Sequence, residues 1–155
     1  MNYNDIIKSA TQKLKQAYPD LPVYASETIE GYKAPCFFIN IYPVKTTYET
    51  LNIAEVTLIL VISFFSDTED SVQNNNMLYD LRNLFKLKLK VNDRHLTISD
   101  ADCEVIGDTY LNNYNSHIAL ELTYKEFIGE EDEHDLMGTV ETQLIVNNDE
   151  RKVVI

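Results

Sequence analysis

Glycine is scarce in this chain. Only four glycines occur among its 155 residues, and no two of them stand at the spacing of a phosphate-binding loop. The two cysteines, Cys36 and Cys103, are far apart in sequence and lie in apolar, strand-like runs, so we expect two buried and reduced thiols. No apolar run approaches the roughly 18 residues of a membrane-spanning helix, so no membrane partner is expected.

Basic residues are also few. The 25 aspartates and glutamates outnumber the 13 lysines and arginines, which gives a formal net charge of −12. Such a surface repels phosphates unless its bases gather in one patch, so we expect no sequence-specific nucleic acid binding. The first residues lack the charged and apolar regions of a secretory signal, which predicts a cytoplasmic protein.

Motifs that carry chemistry are missing as well. The three histidines, His95, His117 and His134, are isolated in sequence, so their spacing predicts no metal site. The chain has no Gly-x-Ser-x-Gly nucleophile elbow and no Glu-x-Lys pattern after a long apolar run. We therefore expect no catalytic residues, no metal, no cofactor and no enzymatic activity.

Two long apolar runs, residues 35–42 and 56–65, organise the chain. Both are rich in β-branched and aromatic residues, so they are predicted to form the central pair of an antiparallel sheet. One face of the second run is apolar along its whole length, through Val56, Leu58, Leu60, Ile62 and Phe64. The expected fold class is α+β: a mainly antiparallel sheet with a long hairpin, packed by two amphipathic helices.

Helical spacing of apolar residues predicts a first helix that Pro19 ends and a second helix over about 68–89, with a capping box at 66–69. The end of the second helix is basic, through Arg82, Lys86, Lys88 and Lys90, followed by Arg94. These bases form either a solvated helix face suited to the helix dipole or a contact surface for an acidic partner, such as another copy.

The polar segment 45–50 is expected to extend the first apolar strand past Pro43 as a hairpin arm beyond the core. Short strands are predicted at 95–99 and 103–106, and a regular alternation over 117–125 predicts the closing core strand. The arm and the connection over 108–116 supply further candidate interface residues, which are Tyr48, Glu49, Tyr110 and Tyr114.

The chain is predicted to divide into a folded domain, residues 1–128, and an acidic linker with an extended segment, residues 129–155. The second part holds eight acidic residues against two basic ones, and its first stretch has almost no apolar content. Residues 139–146 again have the composition of a strand, which could stay loose, fold back or add to a neighbour's sheet edge.

The first 128 residues resemble the tail terminator, or tail completion, proteins of phages and prophages of Gram-positive hosts. The resemblance depends on the order and spacing of Asp5-Ile6-Ile7, YPDLPVY over 18–24, Glu27, IEGYK over 29–33 and PCFFI over 35–39. It implies a structural subunit, without catalytic residues, that forms a ring with itself, commonly a hexamer. Such a ring binds the last ring of the tail tube protein, stops tube growth and offers a surface to a head-completion or connector protein.

The resemblance also implies a location in the host cytoplasm during assembly and afterwards in the virion tail. Two alternatives stay open: another head–tail connector or tail subunit, and a non-phage cytoplasmic adaptor. An acidic ring agrees with a channel that passes DNA without binding it, because like charges repel.

Overall fold

The computed structural model describes residues 1–25, 31–68, 70–108, 113–129, 141–146 and 149–154, with side chains up to residue 106 and from 115 to 129. Tyr110 lies outside these ranges, and only the backbone of Tyr114 is described. The elements are α1 (Tyr3–Ala17), β1 (Val23–Tyr24), β2 (Cys36–Tyr48), β3 (Ile53–Phe65), α2 (Ser71–Phe85), β4 (Lys88–Val91), β5 (Arg94–Asp108), β6 (Asn113–Phe127), β7 (Glu141–Val146) and β8 (Asp149–Val154).

In the described part of the chain, six strands form one mixed sheet in the order β1-β2-β3-β6-β5-β4. The short β1 runs parallel to β2, and the other neighbouring pairs are antiparallel. The predicted β2–β3 hairpin is present, but the centre of the sheet is β3 with β6, so the two apolar runs are not its central pair. Strands β7 and β8 form a separate two-stranded sheet.

The core lies on the face of β3 that the alternating pattern predicts. All five of its even-numbered apolar residues are buried, and β6 adds Ile118, Leu120 and Leu122 to the same face. Both helices pack on this face, and α2 lies against β5 and β6. Between the helix and the sheet, the Ser116 hydroxyl donates to Asn74 Oδ1 over 2.9 Å, so two buried polar groups satisfy each other. The α+β class is therefore correct.

Helix α1 packs against the curled sheet along one face. Its N-terminus is capped by Asn2, whose side chain accepts from Asn4 N–H, while Asp5 bonds back to the Asn2 amide. Its buried stripe is Ile6, Ala10 and Leu14. The helix contacts β1 and β2 at one edge of the sheet and β4 at the other, so the sheet curls around it.

A smaller aromatic cluster covers the other face of β2. The ring of Phe38 lies 5.2 Å from Tyr24, 5.3 Å from Tyr32 and 4.9 Å from Phe65, measured between centroids. The cluster buries Phe38 and Cys36, although they point away from the main core. It attaches β1 and the segment after Gly31 to the sheet.

The second helix is shorter than predicted, because it begins at Ser71 and ends at Phe85. Asp70, not Ser66, caps it by accepting from Val72 N–H over 2.9 Å and from Gln73 N–H. At Lys86 the backbone turns to φ +48°, which a continuing helix does not allow. After this residue the exposed Lys88 and Lys90 alternate with the buried Leu89 and Val91, so these lysines lie on strand β4 and not on a helix end.

Two other segments differ from the prediction. The strands expected at 95–99 and 103–106 are one strand, β5, with a bulge between Ile98 and Asp100 that interrupts the side-chain alternation. Pro43 does not end β2, because a second bulge between Pro43 and Lys45 absorbs the irregularity and pairing resumes. The hairpin is not a free two-stranded arm, since β6 pairs with β3 as far as Ile53.

The cysteines differ from each other. Cys36 is buried, as predicted, but Cys103 is exposed, so the prediction of two buried thiols is wrong. Cys103 pairs with Ile118 across the sheet at the margin of α2, where Tyr79 and Arg82 border the same shallow pocket. The helix therefore leaves this part of β5 uncovered. Neither helix of the described residues has the length and apolarity needed to cross a bilayer.

We expect Leu14→Ala to lower the free energy of unfolding by about 2–5 kcal/mol, because it leaves a cavity where α1 contacts both edges of the sheet. Urea unfolding followed by circular dichroism measures this change. The neighbouring exposed residue supplies the control: Lys15→Ala should change stability by less than about 0.5 kcal/mol. Equal effects of the two substitutions would contradict the burial of Leu14 between α1 and the sheet.

Candidate functional site

An open groove with a volume of about 870 Å³ lies where α2 ends and the chain turns into β4. One wall is this turn and the other is β5 at its bulge. The amide of Ile98 donates to the carbonyl of Leu87 over 2.9 Å and fixes the two walls relative to each other. The apolar residues that line the groove are Leu84, Phe85, Leu87, Ile98 and Ala101.

Four cationic side chains line the same groove: Lys13, Arg82, Lys86 and Lys88. We call it the basic groove. Lys13 Nζ lies 5.3 Å from the centroid of the Phe85 ring, which favours the cation by a cation–π contact. Burial and the nearby charge of Lys86 lower the pKa of Lys13 from its usual value. The lowered pKa therefore reflects first the partial burial of this ammonium group and then the positive charge beside it.

The cations of the groove form no salt bridge within the described residues, where ion pairs join only Met1 to Glu126 and Lys125 to Glu49. Arg82 instead lies over the Tyr79 ring, 5.2 Å from its centroid. Asp100 also lines the groove and supplies one negative charge against the four positive ones. The groove therefore combines apolar walls with cations that have no carboxylate partner in the described part of the protein.

The structure brings together three of the basic residues that the sequence singled out: Arg82, Lys86 and Lys88. Lys90 lies one step further along the exposed side of β4, outside the groove. Arg94 is elsewhere, since its guanidinium lies 5.9 Å from the Tyr124 ring and donates to the Lys125 carbonyl.

Lys13 is a residue of the basic groove that the sequence analysis does not identify. A signal was present, because position 13 lies seven residues after Ile6 and three after Ala10. Those spacings place it at the margin of the buried stripe. The long apolar stem of a lysine at such a margin often covers a neighbouring ring, as Lys13 does with Phe85.

The outer edge of β2 is the second candidate surface. Strand β1 pairs with Phe37 and Phe38, and no strand of the described residues pairs with residues 39–48 on that side. This edge carries the exposed side chains of Tyr42, Val44 and Tyr48, of which Tyr48 is 73% exposed. Unpaired N–H and C=O groups beside exposed apolar side chains can accept a strand from another chain.

The end of the β2–β3 hairpin is apolar, with Leu51 94% exposed and Phe127 62% exposed beside it. Glu49, a predicted interface residue, instead accepts from Lys125 Nζ over 2.7 Å within the chain. This hydrogen bond raises the pKa of Lys125. Gly129 follows β6 at the same end, and any Cβ there would collide with the Asn52 side chain. The chain therefore leaves β6 directly beside the hairpin end.

No cluster of three or more histidine, cysteine or acidic side chains that could hold a metal is found among the described residues. His117 Nδ1 lies 2.7 Å from the Ser63 hydroxyl.

Burial raises the pKa of the Cys36 thiol to about 11. Desolvation also raises the pKa of the Cys103 thiol, but the nearby Arg82 acts in the opposite direction.

Comparison with known proteins gives two findings. A family model described as phage tail terminator protein matches residues 5–133. One solved structure, of a protein whose name describes no function, superimposes with a TM-score of 0.53 at 15% identity. That match covers 82% of this chain and 98% of the other, and it shows the fold alone. No curated protein matches the chain.

We expect a disulfide reagent at pH 8 to modify Cys103 quickly and Cys36 at least roughly 100-fold more slowly, because a thiol of pKa about 11 is about 0.1% ionised there and is also buried. Absorbance of the released thiolate measures both rates. Cys103→Ser should remove the fast phase, and denaturant should make both thiols react. Two equally fast thiols in the native protein would contradict this assignment.

Proposed function

The chain belongs to the phage tail terminator family, and on this premise we propose that its copies close into a ring, commonly of six, that caps the tail tube. The ring binds the last ring of the tail tube protein, ends tube polymerisation and forms the surface that a head-completion or connector protein joins. The family is structural, which supports a role in the virion tail without catalysis. Assembly takes place in the host cytoplasm, and the host is Gram-positive.

The observation that carries this proposal is the extent of the family match. Residues 5–133 contain α2, β1–β6 and nearly all of α1, so the match covers the complete mixed sheet with the helices that pack on it. The proposed division of the chain places this tail terminator domain at 1–128 and the acidic linker with the β7–β8 segment at 129–155.

The two edges of the mixed sheet support a ring. A ring of identical copies needs two different surfaces on each copy that fit each other head to tail. Residues 39–48 of β2 leave one edge unpaired, and β5 has no partner among the described residues on its outer side after Ile98. These two edges lie at opposite ends of the sheet. We infer that β2 of one copy pairs beside β5 of the next.

The charge of the chain agrees with a channel for DNA. At −12 per copy, a closed ring repels phosphates and lets DNA slide through without binding. The exposed apolar hairpin end, with Leu51 and Phe127, is the surface that we assign to the neighbouring ring in the tail. Isolated exposed side chains are ordinary, but a group of them at one end of a molecule favours a protein contact.

Polymerising tail tube protein with and without this chain tests the capping function. We expect shorter tubes when the chain is added, and electron microscopy should place an additional ring at tube ends, because a capped end accepts no further subunits. Unchanged tube lengths with bare ends would contradict the proposal. Binding to head-side rings but not to tubes would instead indicate the alternative, another head–tail connector.

Val44→Lys should weaken self-association at least roughly tenfold, because a charge at an unpaired strand edge disfavours pairing with a second strand. Light scattering across a concentration series measures the change in mass. Val72→Lys is the matched control, since Val72 is also an exposed valine, at 63% against 54%, but lies at the start of α2. If both variants associate like the unaltered chain, β2 is not the subunit edge.

A further inference from the structure

We propose that the basic groove of one copy binds the acidic run Glu130-Glu131-Asp132-Glu133-His134-Asp135 of the neighbouring copy. This inference rests on the proposed ring, and it names the contact that joins adjacent subunits. Charge complementarity is the first argument. The groove holds four cations and one carboxylate, and the run holds five acidic residues in six positions.

The energetics favour such a ligand. The cations have no salt-bridge partner within the described residues, and partial burial together with the nearby charge of Lys86 lowers the pKa of Lys13. A carboxylate beside Lys13 and Lys86 offsets the repulsion between these two charges, so it gains more than at an isolated surface lysine.

The groove's own chain is a poor source of the acidic run. Thr123 pairs with Thr97 beside the groove, and Gly129 lies six residues further along the sequence, about 20 Å away if the chain stays extended. The six residues from 130 to 135 span at most about 20 Å when fully extended. The run of the same copy therefore reaches at most the near end of its own groove when it is fully extended.

A neighbouring copy presents its run in a better position. Gly129 packs against Asn52 at the hairpin end, and Ile128 N–H donates to the Asn52 carbonyl over 2.9 Å. The run thus leaves the body at the end of β2, the strand that we place beside the next copy's β5. The basic groove lies on β5 at its bulge. Antiparallel pairing, which the neighbouring strands of the sheet other than β1 and β2 show, sets the end of β2 beside the first unpaired residues of β5 and so brings the start of the run beside the groove.

Zero-length carbodiimide cross-linking of the full chain tests this contact. Unlabelled and ¹⁵N-labelled copies are mixed, cross-linked and digested, and peptides that join Lys86 or Lys88 to residues 130–135 are identified by mass. We expect pairs that combine both isotopes in the proportion of random mixing. Cross-linked pairs that never combine the two isotopes, or rings that form without any of these pairs, would overturn the proposal. Rings that form without these cross-linked pairs would disprove the contact but not the ring.

Charge reversal gives an independent test. Lys86→Glu with Lys88→Glu should weaken self-association at least tenfold at low salt, and Glu130→Lys with Glu131→Lys and Glu133→Lys should do the same. Combining all five substitutions should restore association to within about threefold of the unaltered chain. Lys8→Glu with Lys15→Glu serves as the control. It changes the net charge by the same amount as the two lysine substitutions in the groove, but on the exposed side of α1.

Circular dichroism should show that each variant is folded, and the cross-linking uses the unaltered chain. If the variant that carries all five substitutions does not regain association, the proposed pairing is wrong. A groove variant that still self-associates but no longer binds tail tube protein would assign the groove to that partner and overturn the inference. If no ring forms at any concentration but mixed-isotope cross-links appear, the contact holds and the closed ring does not.

Discussion

The packing of one face of α1 against the curled sheet is the constraint on which the rest of the structure depends. The helix contacts strands at both sheet edges and its stripe of Ile6, Ala10 and Leu14 is buried, so the sheet cannot flatten without exposing them. The curvature in turn sets where α2 can lie and leaves a gap where α2 ends. The basic groove is this gap, and it contains Lys13 because that residue lies on the margin of the buried stripe. The core and the candidate site are thus formed by the same packing.

Local periodicity explains which elements were predictable from the sequence. The stripe of α1 and the alternation of β3 and β6 are repeated over many residues, so each pattern predicts its own element without knowledge of the neighbours. The end of α2 is different, because Phe85 and Leu89 also fit helical spacing. Pairing of β4 with β5 decides that Leu89 is a strand residue, and this pairing is not a local property. The bulge near Ser99 interrupts the two-residue alternation of β5, so the sequence pattern predicts two short strands where the structure has one.

The candidate site was predictable only where its residues are neighbours in sequence. Arg82, Lys86 and Lys88 were found together because they lie within seven positions. Lys13 joins them from another helix, and Cys103 is exposed because α2 stops short of covering β5. Both facts depend on how the elements pack. Family membership follows from the order of many weak turn and packing residues, which is why no single catalytic or ligand motif was needed to find it.

The bulge at Pro43 has a consequence for the lifetime of the free protein. An open, flat strand edge is a template on which identical chains stack without limit, as in amyloid. Here the edge of β2 is offset by one position between Pro43 and Lys45, and a proline has no N–H to offer a second strand. A partner strand must follow the same offset to pair along its whole length. The register shift between Pro43 and Lys45 therefore disfavours unlimited stacking of identical chains on this edge, while a strand with a matching offset can still pair with it.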